Sequence, residues 1–368
     1  MNSTQGDDSK TNNFYVHNIN GQRTLQRVAS SWNTAVSDGS KRPFIITDSA
    51  WSTSGSGVSL ITDLPRNWPT LKNMVAQAMS LSLSGQNNIM VDGCGALGKM
   101  DEELCGRWMQ VAAFMPMTRV HHNATYVDGA DVKNTDPFNW WNFQNYDATV
   151  MVTSAIGNRL KFMRHIYSNL FIRVGEKINW PIIMPLFYDQ PSYPPAYNDI
   201  EHSYYLGKGI KVSPVFQQGV KDGDTFQSYF PQGLWYDLNN LANFINVTEP
   251  KGKMVDLKAD STFTNLHLRE GAVIAYQFNP NGYKTTTDFL MKQRTSLIVG
   301  TPRADWTAEF YSLMAFDDGL QVIDPTKKTD NYYLKVIKIE EPNKINMYDK
   351  EGNPSLKLDS SYQYQYLD

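Results

Sequence analysis

The chain has 368 residues, a formal net charge of −3 at pH 7 and 41% hydrophobic residues. Because domains usually contain about 100–200 residues, we expect more than one domain, with a sizeable core. The near balance of charges, without basic clusters between aromatic residues, gives no indication of nucleic-acid binding. No apolar run is long enough to span a bilayer, and no secretory signal peptide is visible in the polar, acidic beginning of the sequence.

The first half of the sequence alternates helical and strand patterns. Apolar residues recur at helical spacing in TLQRVASSWNTAV (24–36), in a segment between Pro69 and Gly85, in MDEELCGRWMQVAAF (100–114) and in a long segment around 163–171. Strands are predicted in RPFIITDS (42–49), NNIMVDGCG (87–95) and MTRVHH (117–122), with Asp63 in a loop between the first two. Strands that alternate with helices predict parallel βα units.

From about residue 180 the pattern changes to short strand-like runs separated by turn residues. The runs are PIIMPLFYD, GIKVSPVF, SYFPQGLWYDL, NLHLREGAVIAY, TSLIVG, EFYSLMAF and NYYLKVIKIEE. Many short strands without helices between them predict an all-β region of one or two sandwiches.

Several motifs occur in a characteristic order. The first half contains RPFIITDSAW, then VDGCG with EELCGRWMQVAAFMP, then TRVHH; the second half contains YYLGKGIKVSPVF, YFPQGLWYDL, LHLREG and FDDG. From about residue 14 to 320 this ordered set resembles the second half of glycoside hydrolase family 31, the α-glucosidase family. The resemblance implies the C-terminal part of a TIM (β/α)8 barrel at 1–180, a proximal β-sandwich at 181–277 and a distal β-sandwich at 278–368.

The cysteines and the Asn-x-Ser/Thr triplets give information about the cellular compartment of the protein. Cys94 and Cys105 are the only cysteines, and a disulfide could close their separation of eleven residues. Since the family has a disulfide at the same separation, the resemblance implies that this pair is bonded. Asn123 and Asn246 begin glycosylation triplets, which also arise by chance in a chain rich in Asn, Ser and Thr. The resemblance implies a secretory, lysosomal or extracellular protein.

Asp63 resembles the acid that protonates the leaving oxygen in this family. Family members use a nucleophilic Asp in a W-x-D-M-N-E motif and a proton-donating Asp in H-W-x-G-D-N. Retaining hydrolysis requires these two carboxyl groups to lie about 5–5.5 Å apart. Asp63 lies five residues before Trp68, as the proton donor does in the family. A single acid in a loop could equally be a turn or capping residue.

The residues around Asp63 depart from the family pattern. Ser59 and Leu60 replace the family's His and Trp, Thr62 replaces the Gly before the acid, and Leu64 replaces the Asn after it. Residues 43–65 contain neither Arg nor Lys, so the family's sugar-contacting Arg has no counterpart. Whether a carboxyl group can act as a proton donor depends on the residues of the pocket that surrounds it. Asp63 is therefore interpreted either as a working acid or as the remnant of one.

Three further residues match substrate-binding positions of the family. Asp92 matches the Asp of A-D-I-C-G, and Arg119 and His121 match the Arg-x-His at the end of the last barrel strand. The alternatives are a simple Asp-Gly turn and a surface His. No metal site is predicted at His121, since no third ligand lies at useful spacing, and no cofactor is predicted.

The nucleophile motif does not occur in the sequence, which supplies only about three of the roughly eight strands of a closed barrel. Because an open sheet would leave unpaired backbone groups and apolar faces exposed, we expect a partner polypeptide carrying the N-terminal sandwich and the early barrel strands. Proteolysis, a split gene or a longer chain could each supply it. Two hypotheses follow: an α-glucosidase-type hydrolase that needs this partner for its nucleophile, or a catalytically inactive homologue with a structural, assembly or carbohydrate-binding role.

Overall fold

The computed structural model describes most of the chain. The described residues are 17–35, 44–49, 57–121, 137–175, 180–188, 190–198, 203–277, 282–286, 288–289 and 295–300, with the backbone of four strands beyond residue 310.

The first part is a parallel sheet of four strands with helices, in the sheet order β1-β2-β3-β4. Its elements are α1 (Asn20–Ala35), β1 (Ile46–Thr47), β2 (Val58–Ile61), α2 (Trp68–Leu83), β3 (Ile89–Gly93), α3 (Glu102–Ala112), β4 (Met117–Val120) and α4 (Tyr146–Gly175). The predicted helices and the three predicted strands are all present. The parallel α/β region is confirmed.

Strand β2 corrects the sequence prediction, which placed this segment in a loop. Ser59 interrupts the short apolar run of the strand, and this polar residue concealed the pattern. In the structure Ser59 is buried, and its hydroxyl donates a 2.6 Å hydrogen bond to Oε1 of Gln86. Because the polar group is satisfied, it can lie inside a sheet whose strand pairs on both sides.

Local capping explains where two of the helices begin and end. Asn67 caps α2 by accepting a hydrogen bond from the amide of Thr70, with Pro69 in the first turn, and Gly85 follows the helix at φ 87°. Asp101 caps α3 in the same way, through the amide of Leu104.

The second part is antiparallel. Its elements are β5 (Ile183–Pro185), α5 (Pro194–Asn198), β6 (Tyr204–Leu206), β7 (Ile210–Ser213), β8 (Thr225–Phe230), β9 (Gly233–Asp237), β10 (Phe244–Val247), β11 (Lys253–Lys258) and β12 (Asn265–Arg269). Six strands form one sheet in the order β10-β9-β12-β7-β6-β5, and β8 pairs with β11. Phe230 and Leu257 of the β8–β11 pair share a buried cluster with Tyr205 and Trp235 of the larger sheet, so the two layers form a sandwich.

The remaining strands form two three-stranded sheets. They are β13 (Val273–Tyr276), β14 (Ser296–Val299), β15 (Tyr311–Asp317), β16 (Tyr332–Glu341), β17 (Lys344–Tyr348) and β18 (Gln363–Tyr366). Their orders are β13-β14-β18 and β15-β16-β17. An α/β region followed by an all-β region is therefore the observed architecture. The residue boundaries of the three domains stay a prediction.

Helix α3 joins the α/β part to the sandwich. Arg107 is buried and donates hydrogen bonds to the carbonyls of Val220 and Asp260, at 2.9 and 3.1 Å. Gln110, one turn later, donates to the carbonyls of Asp260 and Ser261. These bonds fix the sandwich against the helix that follows β3, and so against the sheet that carries the candidate site.

Apolar side chains are exposed on the β1 side of the sheet. Leu25 is the buried apolar residue of α1, whereas Val28 and Trp32 of the same helix are 46% and 36% exposed. Phe44 and Ile46, before and in β1, are 60% and 38% exposed. This edge therefore carries apolar surface that the described residues leave uncovered. Among those residues, no helix combines the length and apolarity needed to cross a bilayer.

Candidate active site

The four site residues predicted from the sequence lie together at the carboxyl ends of three adjacent parallel strands. Asp63 follows β2, Asp92 lies near the end of β3, and Arg119 and His121 lie in and after β4. The carboxyl ends of the strands form the face on which TIM-barrel enzymes carry their active sites. The tertiary structure thus brings together residues that are up to 58 positions apart in the sequence.

Asp92 is the centre of a hydrogen-bond network. It has no exposed surface, and its Oδ1 accepts a 2.6 Å charged hydrogen bond from Nε of Arg119. Its Oδ2 accepts from the hydroxyl of Thr62 at 2.6 Å and from the amide of Asp63 at 3.3 Å. Both oxygens are therefore engaged, and the carboxylate holds the backbone that carries Asp63. Direct contact between Asp92 and a sugar stays a prediction.

Thr62 is a member of the site that sequence reasoning noted only as a departure from the family pattern. Its hydroxyl donates to Asp92 and accepts a 2.8 Å hydrogen bond from Nη2 of Arg119. A glycine at this position could make neither bond. The hydroxyl residue directly before Asp63 was the feature of the sequence that could have indicated this role. Its two partners, Asp92 and Arg119, lie 30 and 57 positions away, so the sequence alone did not connect them.

Asp63 has a left-handed backbone, with φ 54°. Asp and Asn adopt this conformation more readily than most residues with a side chain. The Asp63 side chain is 51% exposed. Its Oδ1 lies 3.8 Å from Nε2 of His121, which is 39% exposed. The candidate acid is thus open to solvent on one side and faces an imidazole on the other.

The loops after β2 and β3 hold each other in place. The carbonyl of Leu64 accepts hydrogen bonds from the amides of Ala96 and Leu97, and Arg66 donates to the carbonyls of Cys94 and Gly98. These contacts join the segment directly after Asp63 to the segment after Asp92. The position of Asp63 therefore depends on both loops.

The predicted disulfide joins Cys94 to Cys105. Cys94 follows β3 in a left-handed conformation, with φ 62°, and Cys105 lies in the first turns of α3. Both residues are buried. The bond ties the loop after β3 to the helix that docks on the sandwich, so it supports the same loop that contacts Leu64.

An open groove of about 720 Å³ lies beside Asp63. Thr62 and Asp63 contribute to it from the turn after β2, and Asn73 and Gln77 from α2. Asp48, directly after β1, also lines it, a residue that sequence reasoning did not select. The groove offers carboxylate and amide groups, which suit a ligand rich in hydroxyl groups. Within the described part of the chain, no three His, Cys, Asp or Glu side chains are placed to hold a metal ion.

Two sequence profiles of one family match most of the chain. The profile described as "Glycosyl hydrolases family 31 TIM-barrel domain" matches residues 1–169, and "Glycosyl hydrolase family 31 C-terminal domain" matches residues 179–274. The chain belongs to glycoside hydrolase family 31. The resemblance inferred from the motifs, and the fold that it implied, are therefore confirmed.

Several relatives of this family 31 chain are named α-glucosidases, and one is named an α-xylosidase. The chain is 29% identical over 307 residues to the α-glucosidase of Hordeum vulgare, covering 83% of this chain and 32% of that protein. It is 29% identical over 335 residues to the lysosomal α-glucosidase of Bos taurus, covering 87% of this chain and 33% of that protein. The chain thus spans about a third of the length of these relatives.

Solved structures share the fold of this family 31 chain. The glucosidase II alpha subunit superposes with a TM-score of 0.73 at 20% identity, over 95% of this chain and 36% of the other. The family 31 α-xylosidase of Xanthomonas citri gives 0.72 at 17% identity, over 94% and 36%. These likenesses concern the fold alone.

Of the two glycosylation candidates, the structure describes Asn246. Asn123 lies outside the described residues. Asn246 lies in β10, at the edge of the six-stranded sheet, and is exposed. Its accessibility is compatible with a glycan, and its modification stays a prediction.

Proposed function

We propose that the chain is the C-terminal portion of a retaining α-glucosidase-type hydrolase in which Asp63 donates the proton to the leaving oxygen. The observation that supports this most is the position of Asp63: at the carboxyl end of a parallel strand, beside a polar groove, with His121 at 3.8 Å. General acid catalysis needs a carboxyl group held within reach of the glycosidic oxygen.

The neighbouring residues would position this acid. Asp92 holds the Asp63 amide, and Arg119 compensates the buried charge of Asp92. His121 can donate a hydrogen bond to the Asp63 carboxylate once the proton has left, or to a substrate hydroxyl in the groove. Arg119 is 31% exposed, so its contact with substrate is part of the proposal.

The nucleophile would come from further polypeptide. The four-stranded sheet has the apolar groups of Val28, Trp32, Phe44 and Ile46 on its β1 side, and a closed barrel needs about eight strands. We propose that a segment carrying the N-terminal sandwich and the early barrel strands covers this edge, either within a longer protein or as a separate chain. The same segment would cover the side chain of Asp63, which is 51% exposed in the described residues.

The remaining parts of the proposal follow from the family. We propose a barrel portion at residues 1–180 and two sandwiches at 181–277 and 278–368, an α-glucoside as substrate, and passage through the secretory pathway to a lysosomal or extracellular site. The bovine relative is named lysosomal, and a disulfide suits an oxidising compartment.

Hydrolysis of an aryl α-glucoside by the chain assembled with its N-terminal partner segment tests the proposal. Asp63→Asn should abolish release of the phenol and should leave folding intact, because Asn tolerates the left-handed backbone as well as Asp does. The matched control is Glu249→Gln, an exposed acid in the sandwich, which should leave the rate unchanged. If the assembled wild-type complex released the phenol no faster than the uncatalysed background, the proposal would be overturned.

A catalytically inactive homologue is the second candidate. It is supported by Thr62, whose bonds to Asp92 and Arg119 engage groups that would otherwise be available to substrate, and by the lack of Arg or Lys in residues 43–65. Such a protein would bind carbohydrate or assemble with partners without turnover. Loss of a measurable hydrolysis in Asp63→Asn would exclude it.

A further inference from the structure

We propose that Arg66 is a positioning residue for Asp63. It fastens the chain that follows the candidate acid to the loop after β3, and so limits where the Asp63 carboxyl group can lie. The inference rests on the proposed role of Asp63 as a proton donor. Sequence reasoning did not select Arg66, which lies three positions after Asp63 and is the first Arg or Lys after Arg42.

The guanidinium group of Arg66 bonds to two points of the loop after β3. Its Nε donates a 3.3 Å hydrogen bond to the carbonyl of Cys94, and its Nη1 donates to the carbonyl of Gly98. A guanidinium group can bond both carbonyls at once because its N–H donors point in fixed, different directions, whereas an ammonium group is a compact point charge. We call these two contacts the Arg66 clamp.

Backbone hydrogen bonds join the same two loops. The amide of Arg66 donates to the carbonyl of Leu97 at 2.9 Å. The carbonyl of Leu64 accepts from the amides of Ala96 and Leu97, at 2.9 and 3.1 Å. The chain directly after Asp63 is therefore held by its backbone and by the Arg66 side chain together.

The stem of Arg66 packs against Gly95, where a side chain would not fit well. A Cβ at Gly95 would lie 3.0 Å from Cγ of Arg66 and 3.2 Å from the carbonyl oxygen of Leu64. The φ of 68° at Gly95 also disfavours a side chain. Glycine at this position thus lets the two loops approach closely enough for Arg66 to reach its carbonyls.

The left-handed backbone of Asp63, at φ 54°, explains why support on both sides is needed. Asp tolerates this conformation better than most residues, but the conformation persists only where the surroundings hold it. Asp92 holds the Asp63 amide, and Arg66 holds the chain that follows. Because the Asp63 side chain is 51% exposed, contacts of the backbone largely decide where its carboxyl group lies.

Loss of the Arg66 clamp should affect the chemical step more than substrate binding. Proton transfer requires the carboxyl group within about 2.6–3.2 Å of the glycosidic oxygen, and a misplacement of about 1 Å can lower the rate about a hundredfold. The described lining of the groove beside Asp63 does not include Arg66. Contacts between the groove and the substrate should therefore survive its removal.

Hydrolysis of the aryl α-glucoside by the assembled complex compares Arg66→Met with wild type. Met keeps an apolar stem against Gly95 and removes the N–H donors. We expect kcat to fall about tenfold or more and KM to change less than about twofold, with the thermal unfolding midpoint near that of wild type, because the lost bonds lie in a partly exposed loop. Arg66→Lys, which keeps one donor group, should recover part of kcat. Lys99→Met, which removes an exposed cation from the same loop, is the matched control and should leave kcat and KM unchanged.

Hydrogen exchange in the full chain measures the Arg66 clamp without hydrolysis. In Arg66→Met the amides of Asp63 and Ala96 should exchange about tenfold faster or more, because opening of the two loops becomes easier, and in Lys99→Met they should exchange as in wild type. Equal exchange in the two variants would overturn the inference. So would a wild-type kcat in Arg66→Met, or a loss of kcat that accompanies a large fall in the unfolding midpoint.

Failure of the proposed function gives a different result. If the assembled wild-type complex does not hydrolyse the glucoside, Asp63 is not a working proton donor, whatever the exchange rates are. If the complex is active and the exchange rates do not respond to Arg66→Met, the proposed function stands and the role of Arg66 is rejected.

Discussion

Nε of Arg119 lies 2.6 Å from Oδ1 of Asp92, and the Asp92 carboxylate has no exposed surface. The two residues are register partners on the parallel strands β3 and β4. Arg119 therefore supplies the countercharge for a buried carboxylate that also holds the backbone of Asp63.

Removing this countercharge should destabilise the fold. Arg119→Gln is expected to lower the free energy of unfolding by about 3–5 kcal/mol, because it leaves a buried charge uncompensated. Adding Asp92→Asn in the same chain should recover part of the loss. Urea denaturation measures both. Lys253→Gln, which breaks an exposed 3.4 Å pair with Glu249, should cost about 0–1 kcal/mol. An Arg119→Gln loss no larger than this would contradict the argument.

Close packing of α3 against α4 predicts opposite effects of the same substitution at two glycines. A Cβ added to Gly106 would lie 2.8 Å from Sδ and 3.0 Å from Cβ of Met151, whereas one added to Gly157 would contact nothing within 4 Å. Gly106→Ala should therefore destabilise by about 1–3 kcal/mol. Gly157→Ala should stabilise by about 0.5–1 kcal/mol through helix propensity. Thermal unfolding followed by circular dichroism compares them, and midpoints that shift in the same direction would refute the packing argument.

The Cys94–Cys105 disulfide should stabilise the loop after β3 through chain entropy. It closes a separation of eleven residues, for which the expected contribution is about 3 kcal/mol. Replacing both cysteines by Ser should cost about that amount in chemical denaturation. Dithiothreitol should cause a similar loss in the wild-type chain and none in the double variant. If dithiothreitol also destabilised the double variant, its effect on the wild-type chain would have a cause other than reduction of this disulfide.

His165 should make stability depend on pH. Burial lowers its pKa to about 4 from an ordinary value of 6.5. Between these values the unfolded chain binds a proton that the folded chain does not, so stability is greatest above pH 6.5 and decreases as the pH falls toward 4. The loss from this group alone is on the order of 3 kcal/mol.

Urea denaturation at several pH values compares wild type with His165→Gln, which cannot titrate. The difference in unfolding free energy between the two proteins should shrink as the pH falls from 7.5 to 4. Other titrating groups are common to both proteins and cancel in this difference. A difference that stays constant across the range would show that His165 is not the source of the pH dependence.

The secondary structure could be predicted where local signals agreed. Asn67, Pro69 and Gly85 delimit α2 by capping and backbone conformation, which are properties of neighbouring residues. The strand β2 was missed because buried Ser59 interrupts its apolar run, and the bond to Gln86 that makes this burial acceptable spans 27 positions.

The sequence by itself determined the family, the disulfide pair and the identity of four candidate site residues, because ordered motifs and spacing are local information. Only the tertiary structure decided that both carboxylate oxygens of Asp92 accept hydrogen bonds, from Arg119, Thr62 and the Asp63 amide. It also decided that Asp63 faces His121. Strand pairing sets these distances, and the burial of a charge depends on atoms that lie far apart along the chain.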